Sequence, residues 1–228
     1  MANSEKVLTC VGSKRGAAFR EASAAPLNNE SNVYGTTRKD LHYYKYLRCL
    51  LVKYACVKTT KCETAKHIVD VGSALPPFIE GLAIEEKTIV VPYVPSVSEE
   101  AMTSAMARLE LAGITVVPKR LDEWNCTKKF DVAMSSQVIE HVPDPSAFLR
   151  RMFSLGKLVI ISAPYNWPRG PIGHVSHRIT LETLVGWAGR RPDAYVVVTE
   201  PTVKAAVAQR VITLWATERR PGAFAFAH

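Results

Sequence analysis

Four side chains in this 228-residue chain combine proton-transfer chemistry with loop or turn settings: His141, Tyr165, His174 and His177. A neutral imidazole beside a polar substrate takes up a proton at physiological pH, and a phenol donates or accepts a hydrogen bond. His174 and His177 sit in YNWPRGPIGHVSHR (165–178), rich in Pro and Gly, directly after an apolar run. Loops in that position often close over substrate. Their H-x-x-H spacing would suit a metal pair, but no third ligand of clear identity lies nearby, so no metal is expected. His141 serves equally well to fix the turn before Pro143, and Trp167 and Trp187 read first as core packing. A second constellation is Asp70-Val71-Gly72-Ser73. Glycine permits tight passage of the backbone there, and the amides that follow face an anionic or polar ligand group.

The elements that must position these residues follow from hydrophobic pattern. Short apolar runs at 67–72, 87–92, 114–118, 130–136 and 157–164 read as strands, and AYVVVTE (194–200) and QRVITLWATE (209–218) as two more. Between them lie helical stretches at 98–113, opened by Ser98, at 144–156, opened by Asp144 with Pro145 next, and at 179–189, opened by Thr180 and stopped by Gly189. The segment 39–58 carries Leu41, Tyr44, Leu47, Leu51 and Tyr54 at three- and four-residue steps, a leading amphipathic helix. Strands alternating with helices predict an α/β domain built on a parallel sheet. In such a sheet ligands bind outside the carboxyl ends of the strands, where strand order reverses. The expected division is a flexible extension over 1–38, one domain over 39–218 with its leading helix at 39–60, and a frayed tail over 219–228.

Composition narrows the class. Hydrophobic residues at 47% and charged residues at 22% are ordinary for a globular protein. No apolar run approaches the length of a membrane span, and the N-terminus lacks the apolar core of a secretory signal, so a cytoplasmic location and no membrane partner are expected. Five cysteines with no C-x-x-C pair indicate neither a disulfide framework nor a zinc knuckle; Cys49 and Cys56, seven apart on the leading helix, read as small buried hydrophobes. The net charge of +8 is uneven: residues 1–66 hold 12 Lys and Arg against 5 Asp and Glu, while the rest hold 17 against 16. The basic stretch reads first as a solvated surface and second as a nucleic-acid contact.

HIVDVGS (67–73), FDVAMSSQVIEHVPDPSAFLRRM (130–152) and KLVIISAPYNWP (157–168) together resemble class I S-adenosylmethionine-dependent methyltransferases acting on small molecules. The segment Gln137–Pro145, an E-H-hydrophobic-x-D pattern leading into a helix, is the most specific part. The resemblance, over roughly 40–217, implies a doubly wound, mostly parallel seven-stranded Rossmann-like sheet ending in an antiparallel hairpin. It implies S-adenosylmethionine as cofactor, a small-molecule substrate, and methyl transfer to an O, N or S atom. Asp70, Gly72 and Ser73 match the first-strand motif facing the methionine moiety. Asp122, with Glu123 beside it, matches the acidic position that meets the adenine amino group, and Ser135, Ser136 and Gln137 match the loop lining the methionine side. Two departures stand out. Gly72 is followed by Pro76-Pro77 and not by a second glycine, which removes two backbone donors. The acid that normally holds the ribose after the second strand is replaced by Pro92-Tyr93, leaving Ser96, Ser98 or a water to hold that sugar, with Tyr93 counted among the cofactor-site residues. Two other readings stay open: a methyltransferase-like pseudoenzyme serving as an interaction module, and an RNA methyltransferase guided by the basic segment. Oligomeric state is not set by these features.

Overall fold

The computed structural model describes residues 42–56, 65–72, 78–91, 98–168, 173–200 and 208–218. The expected extension 1–38 and tail 219–228, together with Ser73, the Pro76-Pro77 pair, Tyr93 and Ser96, lie outside them.

Seven strands form one sheet: β1 (His67–Val71), β2 (Glu86–Val90), β3 (Ile114–Val117), β4 (Phe130–Ser136), β5 (Gly156–Pro164), β6 (Ala194–Thr199) and β7 (Gln209–Ala216). Their order is β3-β2-β1-β4-β5-β7-β6. The first five run parallel, and β7 is antiparallel to both β5 and β6. This is the doubly wound sheet with a terminal hairpin that the sequence leads one to expect. Alternation along each strand feeds two cores. Ile68, Val132, Met134 and Ile160 face one, with Leu47 and Leu51 of α1 (His42–Cys56) and Leu109 of α2 (Glu99–Leu111). Val69, Ala133, Val159 and Ile161 face the other, with Leu149 and Met152 of α3 (Pro145–Leu155) and Leu184 of α4 (Leu181–Ala188). Helices on both faces explain why the central strands read as continuous apolar runs.

The helix ends follow their local chemistry. Ser98 Oγ accepts from the Ala101 N–H at 3.2 Å, and Asp144 Oδ1 from the Ala147 N–H at 2.9 Å. Thr180 and Thr183 cap reciprocally, and Gly189 closes α4 at φ +69°. Helix α1 has no acid in its first turn. The buried carboxylate of Glu200, just past β6, accepts from the His42 N–H at 2.7 Å and the Tyr43 N–H at 2.6 Å. A charge at a helix N-terminus satisfies orphan donors and complements the helix dipole. Arg48 fastens the other side of α1 by donating to the Phe78 and Glu80 carbonyls, while Tyr44 stacks on Phe78 with centroids 4.3 Å apart. Tyr43 and Tyr44 are thus buried packing residues.

One reading needs correction. Cys49 is half-buried and disulfide-bonded, not an inert apolar filler; a cysteine's partner is set by tertiary proximity that an odd count does not reveal. No helix among the described residues is long and apolar enough to cross a membrane.

At the edge of the sheet remote from the β-strand carboxyl ends, Asp131 ties three strands. Its Oδ2 accepts from the Lys66 and His67 N–H groups at 2.7 and 3.1 Å, and its Oδ1 meets Lys157 Nζ at 2.9 Å. Burial works to raise its pKa, but the Lys157 ammonium and the two amides outweigh that and hold it below the ordinary carboxylate value. A depressed folded-state pKa stabilises above the unfolded pKa and is lost as pH falls through the folded one. Asp131→Asn should therefore cost about 1.5 kcal/mol in urea unfolding at neutral pH, and the difference from the parent should close below about pH 4. Glu200→Ala strands two amides at the start of α1, so a loss of about 2 kcal/mol is expected, with early protease cleavage within 42–56.

Candidate functional site

Strand order reverses between β1 and β4, and the residues singled out by spacing gather at the carboxyl ends of those strands and of β5. Asp70 is fully buried, and its Oδ2 accepts from the Phe78 N–H at 3.2 Å, so the chain that leaves β1 at Gly72 returns under its control. Gly72 takes φ +77° and donates its N–H to the Val90 carbonyl at 2.8 Å. A Cβ there would stand 2.8 Å from both methyls of Val138. Glycine is therefore required twice, for the dihedral and for the close approach of the next turn.

The loop after β4 is polar but largely committed. Ser135 Oγ donates to the Val71 carbonyl at 2.8 Å, and Ser136 Oγ shares a hydrogen bond with Ser162 Oγ at 2.8 Å; both serines are buried. Their hydroxyls lock β4 to β1 and β5, which leaves backbone atoms and the half-buried Gln137 side chain to face a ligand. Gln137 adopts φ +56°, with its N–H on the Ser162 carbonyl at 2.9 Å and Nε2 on Ser162 Oγ at 3.3 Å. A left-handed non-glycine residue costs energy and is retained where surrounding bonds impose it. Asp122 and Glu123 lie exposed after β3. Arg120 holds both Asp122 oxygens at 3.0 Å and, through this hydrogen bond above all, keeps the Asp122 carboxyl below its ordinary pKa; Glu123 Oε2 accepts from the Arg120 N–H at 3.3 Å. Each Asp122 oxygen retains a further lone pair for an outside donor.

The histidines converge. After Gln137 a single 3-10 turn (Ile139–His141) presents Glu140 inward and His141 outward. The loop from β5 is pinched at its neck by Asn166 N–H to Ile179 O at 2.8 Å and Arg178 N–H to Trp167 O at 2.9 Å. It folds back onto the turn: the Val175 and Ser176 N–H groups donate to the Glu140 carbonyl at 2.9 and 3.1 Å, and His141 Nδ1 lies 3.0 Å from the Gly173 carbonyl. His141 and His174 rings meet edge to face with centroids 4.6 Å apart. His174 in turn lies between Trp167 and His177, nearly parallel to both, at 6.2 and 6.4 Å. Behind Trp167 the buried guanidinium of Arg210 sits 5.0 Å from its ring and 4.7 Å from that of Tyr43. Tyr165 packs with the α3–α4 core, and its electrostatic neighbours are Glu182 and Tyr195; burial foremost raises its phenol, which makes it a donor and not a base.

Two groups in this cluster are displaced from their ordinary ionisation. Burial pushes the Glu140 carboxyl up to about 8, opposed by its own backbone N–H and by Arg210. Burial, with His141 and His177 adding, pushes His174 down to about 4, so its imidazole is neutral at physiological pH. Sequence reasoning missed Glu140 and Arg210. An acid flanked by Val138, Ile139 and Val142, and an arginine leading the apolar run VITLW, are the signals that were present.

A family model described as a methyltransferase domain matches residues 41–224. No curated protein matches the chain significantly in sequence. Among solved structures, the N-methyltransferase NodS from Bradyrhizobium japonicum WM9, in complex with S-adenosyl-L-homocysteine, superposes with a TM-score of 0.58 at 14% identity, covering 81% of this chain and 92% of that one. The 1,6-didemethyltoxoflavin-N1-methyltransferase of Burkholderia thailandensis gives 0.56 at 16% identity, covering 77% and 78%. The [4+2]-cyclase SpnF also gives 0.56, at 12% identity, covering 74% and 79%. At these identities the likeness is one of fold. Gly72→Ala should lower stability by about 2 kcal/mol, read in chemical denaturation, because the new methyl meets both a left-handed dihedral and the Val138 side chain.

Proposed function

Because the chain belongs to the methyltransferase-domain family, we propose that it transfers a methyl group from S-adenosylmethionine to an O, N or S atom of a small molecule. The observation that carries this reading is the Gly72 turn closed against Val138 at the point where strand order reverses. That turn, the buried Asp70 before it and the Gln137 bend lie together at the strand ends, where the family resemblance puts the methionine end of the donor. By the family resemblance Asp122 would accept a hydrogen bond from the adenine amino group, and Ser73 and Tyr93 belong to the same proposal by sequence position. When bound, the donor supplies a methyl carbon on a sulfonium, open to in-line attack by a lone pair of the acceptor.

What remains for the chain is positioning and one proton. Alignment of acceptor and donor supplies most of the rate in a displacement of this kind. His141, His174 and His177 cluster one turn beyond Gln137, and the neutral His174 ring has a lone pair available at physiological pH. They are the proposed receivers of the acceptor's proton, with Trp167 walling the acceptor's apolar part. Tyr165 is the weaker candidate because its phenol stays protonated.

A second reading is favoured by one observation: the sequence offers Pro92-Tyr93-Val94-Pro95 where an acid would hold the ribose. On that reading the domain keeps the fold without the donor, and works as an interaction module. Titration calorimetry with S-adenosylhomocysteine separates the two. Methyl transfer expects saturable heat with Kd below about 1 mM; no heat at that concentration from folded protein would sink it in favour of the module.

A further inference from the structure

We propose that Glu140, His141 and His174 form a binding site for a divalent first-row transition-metal cation. Each offers one ligand atom, and these atoms lie within 4.8 Å of one another. Tetrahedral ligation by imidazole nitrogen and carboxylate oxygen places ligand atoms about 3.3 Å apart, so closing the set takes a shift of up to about 1.5 Å. The exposed His141 and the loop that carries both Gly173 and His174 can make that shift together, with the Nδ1 hydrogen bond kept.

Two features of the surroundings point to a ligand and not to a chance cluster. Glu140 is 1% exposed, and its Oε2 is buried with no hydrogen-bond partner. An oxygen in that state lacks a donor or a cation. His141 is already prepared: the Gly173 carbonyl can only accept, so Nδ1 carries the proton and donates to it. That bond fixes the ring's orientation and leaves Nε2 with its lone pair, the arrangement that ligating histidines ordinarily show. Glu140 further holds the loop bearing His174 through its own backbone carbonyl, so ligands from two segments are brought together by one residue.

The chemistry of the set selects among metals. Two imidazoles and one carboxylate suit zinc, cobalt, nickel or iron(II); magnesium and calcium require more oxygen ligands than the site provides. Arg210, facing Glu140 from β7, adds positive charge nearby and disfavours weakly coordinating cations further. His177 does not join the set, because its ring is stacked parallel to His174 at 6.4 Å and not turned to a common point. The metal pair suggested by H-x-x-H spacing is thus replaced by His141 with His174. Three protein ligands leave a coordination position open. In the methyl-transfer reading, on which this role alone rests, a cation there would engage the lone pairs of His141 and His174 and lower the pKa of an acceptor hydroxyl, whose proton would pass to His177 or to solvent.

Cobalt(II) is the probe, added to full-length, untagged protein stripped of metal and free of methyl donor. Visible d–d absorption should saturate at one equivalent, and zinc should displace it. His141→Ala and His174→Ala should each weaken uptake about tenfold or more, while His67→Asn, remote from the site, should bind as the parent does. Absence of saturable absorption up to about 1 mM cobalt, a smaller drop in either variant, or an equal drop in His67→Asn would overturn the proposal. Should a variant not fold, the cobalt-loaded parent decides by proton NMR: two hyperfine-shifted exchangeable ring N–H signals support it, and fewer overturn it. Because no methyl donor enters this measurement, its failure and that of the methyl-transfer reading are separate results.

Discussion

Glu140 places a carboxylate inside the protein one residue before an exposed histidine, and much of the ligand side of the domain is arranged around it. Its backbone carbonyl draws in the loop after β5, its side chain faces Arg210, and its neighbour Val138 closes on Gly72. Burial favours the protonated form of that acid, and nearby positive charge works against burial. Arg210 supplies part of that charge from the opposite end of the sequence, at the start of β7. The turn, the loop and the start of the antiparallel hairpin thus approach one another around one buried residue.

The same coupling continues sideways as a layered series of flat groups. Tyr43, Arg210, Trp167, His174 and His177 follow one another at spacings of 4.7, 5.0, 6.2 and 6.4 Å. A guanidinium between two aromatic faces is attracted to both, and Trp167 is anchored at its far edge by Nε1 donating to the Gln209 carbonyl at 2.8 Å. The histidine-bearing loop thus rests on a rigid wall, although its own sequence is rich in Pro and Gly. Rigid support of this kind is what precise placement of an acceptor demands.

Strand positions and helix ends were legible because each rests on local chemistry. Buried strands must be apolar throughout, Ser98, Asp144 and Thr180 are good caps, and Gly72 is needed for a positive φ. What was not legible depends on contacts between distant segments. Glu200 caps a helix 158 residues earlier, a pairing no periodicity encodes. Ser135 and Ser136 read as ligand-facing because their type and position fit, yet the neighbouring strands claim both hydroxyls. Spacing along the chain set His174 beside His177, and the fold adds what spacing does not encode, the approach of His141 to His174.

The Glu200 contact bears on the order in which the domain is completed during synthesis. Among the described elements α1 leaves the ribosome first, while the carboxylate that satisfies its leading amides follows 158 residues later and the β7 strand beneath Tyr43 later still. Until they emerge, the apolar stripe of α1 has an incomplete seat and uncapped donors, and short helices gain most of their stability from tertiary packing. The first of the described elements to appear is therefore among the last of them to settle, and a nascent chain halted before residue 200 presents an exposed amphipathic helix to chaperones.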